Sequence, residues 1–247
     1  MGGMMRIITY NLRFGGSGNS HWSKVFDDFA PEILLVQESY DPIEHLPPLL
    51  HGDLHRDASW KCVEGLNWGS AVFVKGKAAR PLDLPDFHGH VVGVEVDGSA
   101  FPISKGRPLR IFSVHAPDRG GYQRAVNSIL DMIGSNRGDG DLVIGGDFNL
   151  TVGERHETEE LKTSKDDLAI LARLRDEFGL VSGWQVANAG VPLPQTLRWA
   201  KDKVKPYHCD GIFIPQSWSG RVQSCTIVSG PEWERMSDHN PVMVEIA

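Results

Sequence analysis

The stretch Leu142-Val143-Ile144-Gly145-Gly146-Asp147-Phe148-Asn149 ends an apolar run on two glycines, an acid and an amide. Val143 and Ile144 suit a strand covered on both faces. Gly145 and Gly146 remove side chains where another backbone or a ligand comes close, and they mark an expected bend that turns Asp147 and Asn149 into a cleft. Further along, Tyr207-His208-Cys209-Asp210-Gly211-Ile212-Phe213-Ile214 sets an acid within a hydrophobic strand, where an unpaired carboxylate is costly. Met236-Ser237-Asp238-His239-Asn240-Pro241 is a polar loop ahead of the last strand. A catalytic imidazole needs an orienting carboxylate on its other nitrogen, so Asp210 and His239 are expected to answer each other. Glu38 and Asp238 then remain as hard oxygen ligands for a divalent cation. Magnesium is favoured, because no soft thiolate set accompanies them.

Such residues need a scaffold that gathers distant segments. Strand patterns are expected over Arg6–Leu12, Ile33–Gln37, Ser59–Val63, Ser70–Val74, Val91–Val96, Leu109–His115, Thr196–Trp199, Tyr207–Ile214, Val222–Val228 and Val242–Ile246. Helices are expected over His21–Phe29 with Ser20 as its cap, Tyr122–Ile133 with Val126, Ile129, Leu130 and Ile133 on one stripe, and Asp166–Phe178 stopped by Gly179. Strand, helix, strand occurs twice, from Arg6 to Glu38 and from Leu109 to Asp147. Each first strand ends in a polar residue (Asn11, then His115) and each second strand ends in an acid. Such units lay parallel strands side by side with like ends together, and ligands collect at the carboxyl ends. Asn11 and Glu38 should therefore share one rim, and His115 and Asp147 another. Two such sheets packed face to face bring the rims to a common cleft, in a two-fold-like α/β sandwich with helices outside.

Length and composition agree with one domain over residues 1–247: the chain is 247 residues long with 40% apolar content, enough for a full core. No apolar run is long enough to span a bilayer, and the start lacks a signal-peptide layout and fails the myristoylation pattern at Arg6. Cys62, Cys209 and Cys225 are odd in number and show no paired spacing, which argues against a disulfide framework or a zinc motif and suits a cytoplasmic location. The net charge of −7 is no nucleic-acid footprint in itself. A local basic strip can still act within an acidic protein.

The motifs occur in a recognisable order. Thr9-Tyr10-Asn11, Val36-Gln37-Glu38-Ser39, Ser113-Val114-His115-Ala116-Pro117, Gly146-Asp147-Phe148-Asn149, Cys209-Asp210-Gly211-Ile212-Phe213 and Ser237-Asp238-His239-Asn240-Pro241 span nearly the whole chain. Together they resemble the endonuclease/exonuclease/phosphatase superfamily, which includes pancreatic-type deoxyribonucleases, abasic-site endonucleases, sphingomyelinases and inositol-polyphosphate phosphatases. The resemblance implies a four-layered α/β sandwich, two mixed sheets face to face with helices outside, and Mg²⁺- or Mn²⁺-dependent phosphoester hydrolysis. It implies Glu38 as principal metal ligand with Asn11 and Asp238 nearby, and Asp147 orienting or deprotonating the attacking water beside Asn149. The Asp210–His239 pair and His115 would contact the scissile phosphate. Ser113-Val114-His115-Ala116-Pro117 departs from the Tyr-x-Pro-Asn segment of abasic-site endonucleases and stands closer to the deoxyribonuclease, sphingomyelinase and phosphatase branches. Gly211 departs from the bulky residue that usually follows the family's acid.

The chemistry fits the residues. A phosphodiester is anionic, so water attack needs charge neutralisation and an in-line nucleophile, which a cation, two imidazoles and an aspartate can supply. A nuclease acting on DNA or RNA leads. A small-molecule or lipid phosphoesterase of the inositol-phosphate or sphingomyelin type is the alternative, and a silent phosphate-binding module on the same fold is a third reading. No obligate protein partner is implied. Arg198, Lys201, Lys203 and Lys205 concentrate cations just before the Asp210 strand, so their loop is expected at the cleft rim as a substrate-binding element, with Trp199 stacking on a base or packing beneath it. Blander readings hold elsewhere. His51, His55, His88 and His90 read as structural, Gly15-Gly16-Ser17-Gly18 as a flexible turn without the P-loop ending, the other tryptophans as packing, and Glu154–Glu160 as a solvated loop.

Overall fold

In a computed structural model, the structure describes residues 4–14, 20–45, 56–156, 159 and 161–247. The Gly15–Gly18 turn, His51, His55 and part of the Glu154–Glu160 run lie outside the described residues.

The strand–helix–strand repeat is present in both places. β1 (Met5–Asn11), α1 (Ser20–Phe29) and β2 (Ile33–Ser39) form the first unit. A short α2 (Pro42–His45), β3 (Ala58–Cys62), β4 (Gly69–Val74), β5 (Arg80–Pro81) and β6 (Val91–Val96) follow. β7 (Leu109–His115), α3 (Tyr122–Ser135) and β8 (Asp141–Asp147) form the second unit. The remainder is α4 (Lys165–Asp176), β9 (Leu180–Ser182), α5 (Gly183–Ala187), β10 (Asp210–Pro215), β11 (Val222–Ile227), α6 (Pro231–Met236) and β12 (Val242–Ile246). One six-stranded sheet has the order β11-β12-β1-β2-β4-β3, the other β5-β6-β7-β8-β10-β9. β1–β2 and β7–β8 pair in parallel, and the other neighbours are antiparallel.

Alternation along the strands explains the four layers. Ile7, Ile33, Leu35, Ile111, Val143 and Ile212 pack in the cluster between the sheets. Their neighbours in sequence point outward: Ile8, Leu34 and Val36 onto Trp22 and Val25 of α1, and Phe112 and Ile144 onto Val126, Ile129 and Leu130 of α3. Strands covered on both faces need continuous apolar runs, which these segments supply. Ser164 Oγ accepts from Asp167 N at 3.0 Å to cap α4, and Gly179 takes the left-handed conformation (φ +66°) that ends it.

Three expectations are corrected. Thr196–Trp199 is not a strand; Leu197 makes only isolated bridges, to Tyr207 and to His239. Asp210 opens its strand instead of lying within it. The Glu154–Glu160 run is not simply solvated, because Arg155 and Glu159 form a largely buried pair at 2.8 Å.

The inward-facing positions change character along the strands. Apolar residues fill the middle, then Thr9, Gln37 and Ser113 form a buried polar floor. Gln37 Nε2 donates across the sheets to Ser113 Oγ at 2.9 Å and to Thr9 Oγ1 at 3.1 Å. One step further lie Asn11, Glu38, His115 and Asp147.

Candidate active site

Six strand ends build one rim. β1, β2, β7 and β8 finish there, while β10 and β12, antiparallel to their neighbours, begin there. Asp210 is paired in register with Asp147, and His115 with Asp147 from the other side. The loop Ser237–Pro241 is held over the end of β1 by Ser237 Oγ, which donates to the Asn11 carbonyl at 2.8 Å.

Glu38 needs a local irregularity to reach this rim. Gln37 faces inward, so simple alternation sends Glu38 outward. Instead Glu38 adopts φ +52°, and the β2–β4 register shifts between Val36 and Ser39. This bulge swings its carboxylate into the cleft. At β8 the outcome differs from the expected bend. The ladder with β7 keeps register through both glycines to Asp147, and the turn comes later, at Asn149 with φ +53°. The glycines serve close approach: a Cβ on Gly146 (φ +150°) would lie 1.9 Å from the Val114 carbonyl oxygen, and one on Gly145 2.7 Å from Leu35 Cδ1. Gly211 stands opposite Gly146 in the β8–β10 ladder, where a Cβ would meet Val152 Cγ2 at 3.0 Å. The small residue after Asp210 thus fits the packing.

The side chains form a connected array. Asn11 Nδ2 donates to Glu38 Oε1 at 3.1 Å and to Asp147 Oδ2 at 3.0 Å, joining the two sheets. Two carboxylates around one amide group fix which end is nitrogen. The amide oxygen accepts from Arg13 N at 2.9 Å, and Phe14 N donates to Glu38 Oε2 at 2.6 Å. His115 Nε2 lies 3.4 Å from Glu38 Oε1, and its Nδ1 has no partner among the described residues. His239 Nδ1 is bonded to Asp210 Oδ2 at 2.9 Å, and its Nε2 faces Asp147 Oδ2 at 3.8 Å. Thr196 Oγ1 accepts from the backbone N–H groups of Cys209 and Asp210, fixing the acid's approach.

The electrostatics separate the two imidazoles. Burial works against a charge on His239, but Asp210, Asp147 and the Asp210 hydrogen bond outweigh it and raise its pKa to about 10. Burial lowers the pKa of His115, only partly opposed by Asp147, and the charge of His239 lowers it further. Asp147 is raised, first by burial; Asp210 adds to this while His239, His115 and the Asn149 N–H oppose it. His239 thus holds its proton firmly, whereas Asp147 is more basic than an ordinary carboxylate.

The donor set suits a hard cation. Glu38 and Asp238 offer carboxylate oxygens, and neither is closed off by a tight salt bridge: Arg13 Nε lies 3.4 Å from Asp238 Oδ2. Asn11 turns hydrogen, not oxygen, toward Glu38, so its geometry is that of a bridge between carboxylates.

The remaining expected residues fall in different places. Asn149 donates from Nδ2 to the Ala116 carbonyl at 3.0 Å and from N to Asp147 Oδ1 at 2.9 Å, tying the β7 and β8 ends together. Arg198 is committed internally, with its guanidinium on Asn240 Oδ1 (2.5 Å) and the Ser237 carbonyl (2.6 Å) and its N–H on the Asp238 carbonyl. It holds the Asp238–His239 loop and offers no free cation. Lys201, Lys203 and Lys205 lie on the segment beyond it. Lys201 Nζ sits 5.3 Å from the Trp199 ring, and Lys205 Nζ 5.1 Å from the Tyr207 ring. Trp199 is 43% exposed and edge-on to Tyr207. The sequence carries no expectation for Arg13 and Phe14, and for Trp68 only that of packing. Trp68 packs 5.4 Å from His115 and beside His90, and Phe14 caps it from outside. Only the position of Arg13 and Phe14 just beyond Asn11 gave a signal.

A two-sheet sandwich with carboxylates, amide and imidazoles at one rim defines a phosphoester hydrolase of the four-layered α/β class. The chain belongs to the Endonuclease/Exonuclease/phosphatase family, which it matches over residues 8–239 and whose members are metal-dependent hydrolases of phosphoester bonds. A Xenopus laevis protein, described as transposon TX1 uncharacterized 149 kDa protein, is 29% identical over 151 residues. That match covers 58% of this chain and 11% of that protein, so the chain corresponds to a small part of it. The endonuclease domain of TRAS1, a telomere-specific non-LTR retrotransposon, has the same fold (TM-score 0.67, 15% identity, 99% of this chain and 98% of that one). So do an AP endonuclease from Archaeoglobus fulgidus (0.69, 15%, 98% and 99%) and the 3′ phosphatase NExo from Neisseria bound to product DNA hairpin (0.67, 16%, 98% and 99%). Among the described residues, no helix is long and apolar enough to cross a membrane.

Proposed function

We propose that the chain is a Mg²⁺- or Mn²⁺-dependent nuclease that cleaves phosphodiester bonds of nucleic acid, DNA foremost, by in-line attack of water. The observation that carries this reading is the convergence on Asp147, which takes Asn11 on one oxygen and faces the Asp210-bound imidazole of His239 at 3.8 Å. Asp147 orients the water and receives its proton, as its raised pKa favours. His239, kept protonated by Asp210, donates to a phosphate oxygen as charge builds there. His115, of lowered pKa, acts as a neutral hydrogen-bonding group on the Glu38 side. Asn11 keeps the Glu38 and Asp147 carboxylates in register. Glu38 and Asp238 would hold the cation, which neutralises phosphate charge and polarises the scissile bond.

Nucleic acid is favoured over a small ester by the rim itself. Lys201, Lys203, Lys205 and the exposed Trp199 stand on a segment bonded directly to Asp238 through Arg198. Flanking phosphates and bases have somewhere to bind there. Proteins of the same fold, an endonuclease domain, an AP endonuclease and a DNA-bound phosphatase, lean the same way. A cytoplasmic location completes the reading.

The test is nicking of supercoiled plasmid by the purified protein with Mg²⁺ or Mn²⁺, beside single-stranded DNA, RNA, sphingomyelin and inositol phosphates. Metal-dependent nicking is expected. Turnover of the lipid or inositol esters alone would replace the nuclease reading, and no turnover on any substrate would favour a binding module.

A further inference from the structure

Next to the reacting groups stands a donor of another chemical kind. Cys209 precedes Asp210, and its Sγ lies 3.5 Å from Asp210 Oδ2. One donor atom each from Asp147, Cys209, Asp210 and His239 fall within 4.8 Å of one another, and all four residues are more than nine-tenths buried. The set offers one sulfur, one nitrogen and two oxygens. Magnesium gains little from it, since a thiol is a poor ligand for a hard cation and the pocket is too closed to keep the ion's waters. Zinc matches it. Zn–S of about 2.3 Å and Zn–N or Zn–O of about 2.0–2.2 Å put neighbouring donors of a tetrahedral site about 3.3–3.7 Å apart. The Sγ–Asp210 separation of 3.5 Å and the His239 Nε2–Asp147 separation of 3.8 Å are already near that spacing. The charge also fits: once the thiol and the imidazolium have lost their protons, two carboxylates and a thiolate face a neutral imidazole, and a dication offsets them.

We propose that Asp147, Cys209, Asp210 and His239 form an inhibitory site for zinc and similar borderline-soft divalent cations, separate from the oxygen donors at Glu38. On coordination the Cys209 thiol and the protonated His239 Nε2 each release a proton to solvent; the metal would take the thiolate, Nε2 and one oxygen each of Asp147 and Asp210, while His239 Nδ1–H stays on Asp210 Oδ1. Asp147 and His239 are then unavailable to water and phosphate. The inhibition, though not the metal binding, rests on the nuclease reading above.

Two measurements on the whole protein test this, one of them independent of turnover. Co²⁺ added to chelator-stripped protein should give a thiolate-to-cobalt charge-transfer band that Zn²⁺ removes and excess Mg²⁺ does not. The band should vanish in Cys209→Ser and Cys209→Ala, and persist in Cys62→Ser and Cys225→Ser. In plasmid nicking at saturating Mg²⁺, trace Zn²⁺ should inhibit, and Cys209→Ser should need at least about tenfold more Zn²⁺ for the same inhibition. Absence of the band in the native protein, its survival in a folded Cys209 variant, or unchanged zinc sensitivity of that variant overturns the proposal. A Cys209-dependent band in a protein that nicks nothing keeps the site and removes the nuclease reading.

Discussion

Asn11 and Asp147 stand on different sheets and are joined by one buried hydrogen bond of 3.0 Å, from an amide that also holds Glu38 at 3.1 Å. The amide donates to both carboxylates, and this makes a testable distinction. If Asn11 served the cation through its oxygen, Asn11→Asp would be tolerated and would tighten metal binding. As a bridge it cannot be so replaced, because a third carboxylate would face the other two without a proton between them. Asn11→Asp is expected to lose about 10²-fold or more in kcat, and to melt below Asn11→Ala. Plasmid-nicking kinetics over a Mg²⁺ titration, with melting curves, decide between the two roles.

Glu38→Gln keeps the shape of the side chain and removes its charge. Loss of most turnover is expected, by about 10²-fold or more, with a raised Mg²⁺ requirement and an unchanged circular-dichroism spectrum. Full turnover of the native protein in excess chelator would refute the metal assignment altogether.

The Asp210–His239 pair at 2.9 Å should behave as one device. His239→Ala and Asp210→Asn each remove the donor's proton or its support, so the double variant should lose little beyond the worse single one. Losses that multiply in single-turnover rates would mean that the two residues act separately.

Much of this site was legible in the sequence because it rides on regular alternation. Val91–Val96, Leu109–His115 and Val242–Ile246 have the bounds their patterns give, and the two strand–helix–strand units place Asn11, His115 and Asp147 by periodicity alone. Glu38 was legible as a strand-end acid, but its direction was not. Alternation points it at the helix layer, and only tertiary contacts reverse it: Trp22 Nε1 donates to Ser39 Oγ and Trp60 Nε1 to the Ser39 carbonyl, both at 3.0 Å, holding the bulge. Arg198 misled for a related reason. A cation in a basic run reads as free, whereas its partners Asn240 and Ser237 come from a loop some forty positions away. Two-residue β5 and three-residue β9 are too short to carry a period.

His208 gives a prediction about stability away from the chemistry. Its ring is buried, its Nδ1 lies 2.9 Å from the Pro194 carbonyl, and burial holds its pKa down at about 4 against the opposing effect of that carbonyl. In the unfolded chain the imidazole returns to an ordinary value of about 6.5. Between about pH 6.5 and 4 the unfolded state therefore binds a proton that the folded state refuses. Stability falls as pH drops through that window and levels below it. The full effect is about 3 kcal/mol for one group. His208→Gln should cost stability at pH 8 yet lose less between pH 7.5 and 4.5, as read from urea unfolding at both pH values. An equal loss in both proteins would show that His208 does not carry this dependence.

Substrate contact yields the last expectation. Lys201, Lys203 and Lys205 lie on the rim segment whose base is fixed to the Asp238 carbonyl through Arg198 N, and Gln195 Nε2 pins the carbonyls of Lys203 and Lys205 at 2.9 and 2.8 Å. The proposed role of this segment is to hold phosphates and bases that flank the scissile bond. Each lysine that meets a phosphate adds about 0.9 to the slope of log affinity against log salt for duplex DNA. Neutralising all three to Gln should weaken polynucleotide binding and flatten that slope by roughly 2–3. Hydrolysis of a small aryl phosphodiester, which is too short to reach the rim, should change less than about threefold. Arg198→Gln should behave differently and reduce turnover of both substrates, because its guanidinium supports the Asp238–His239 loop. If the triple-lysine variant cleaved plasmid with an unchanged salt slope, the rim would not be a nucleic-acid surface, and a small or lipid phosphoester would become the better substrate.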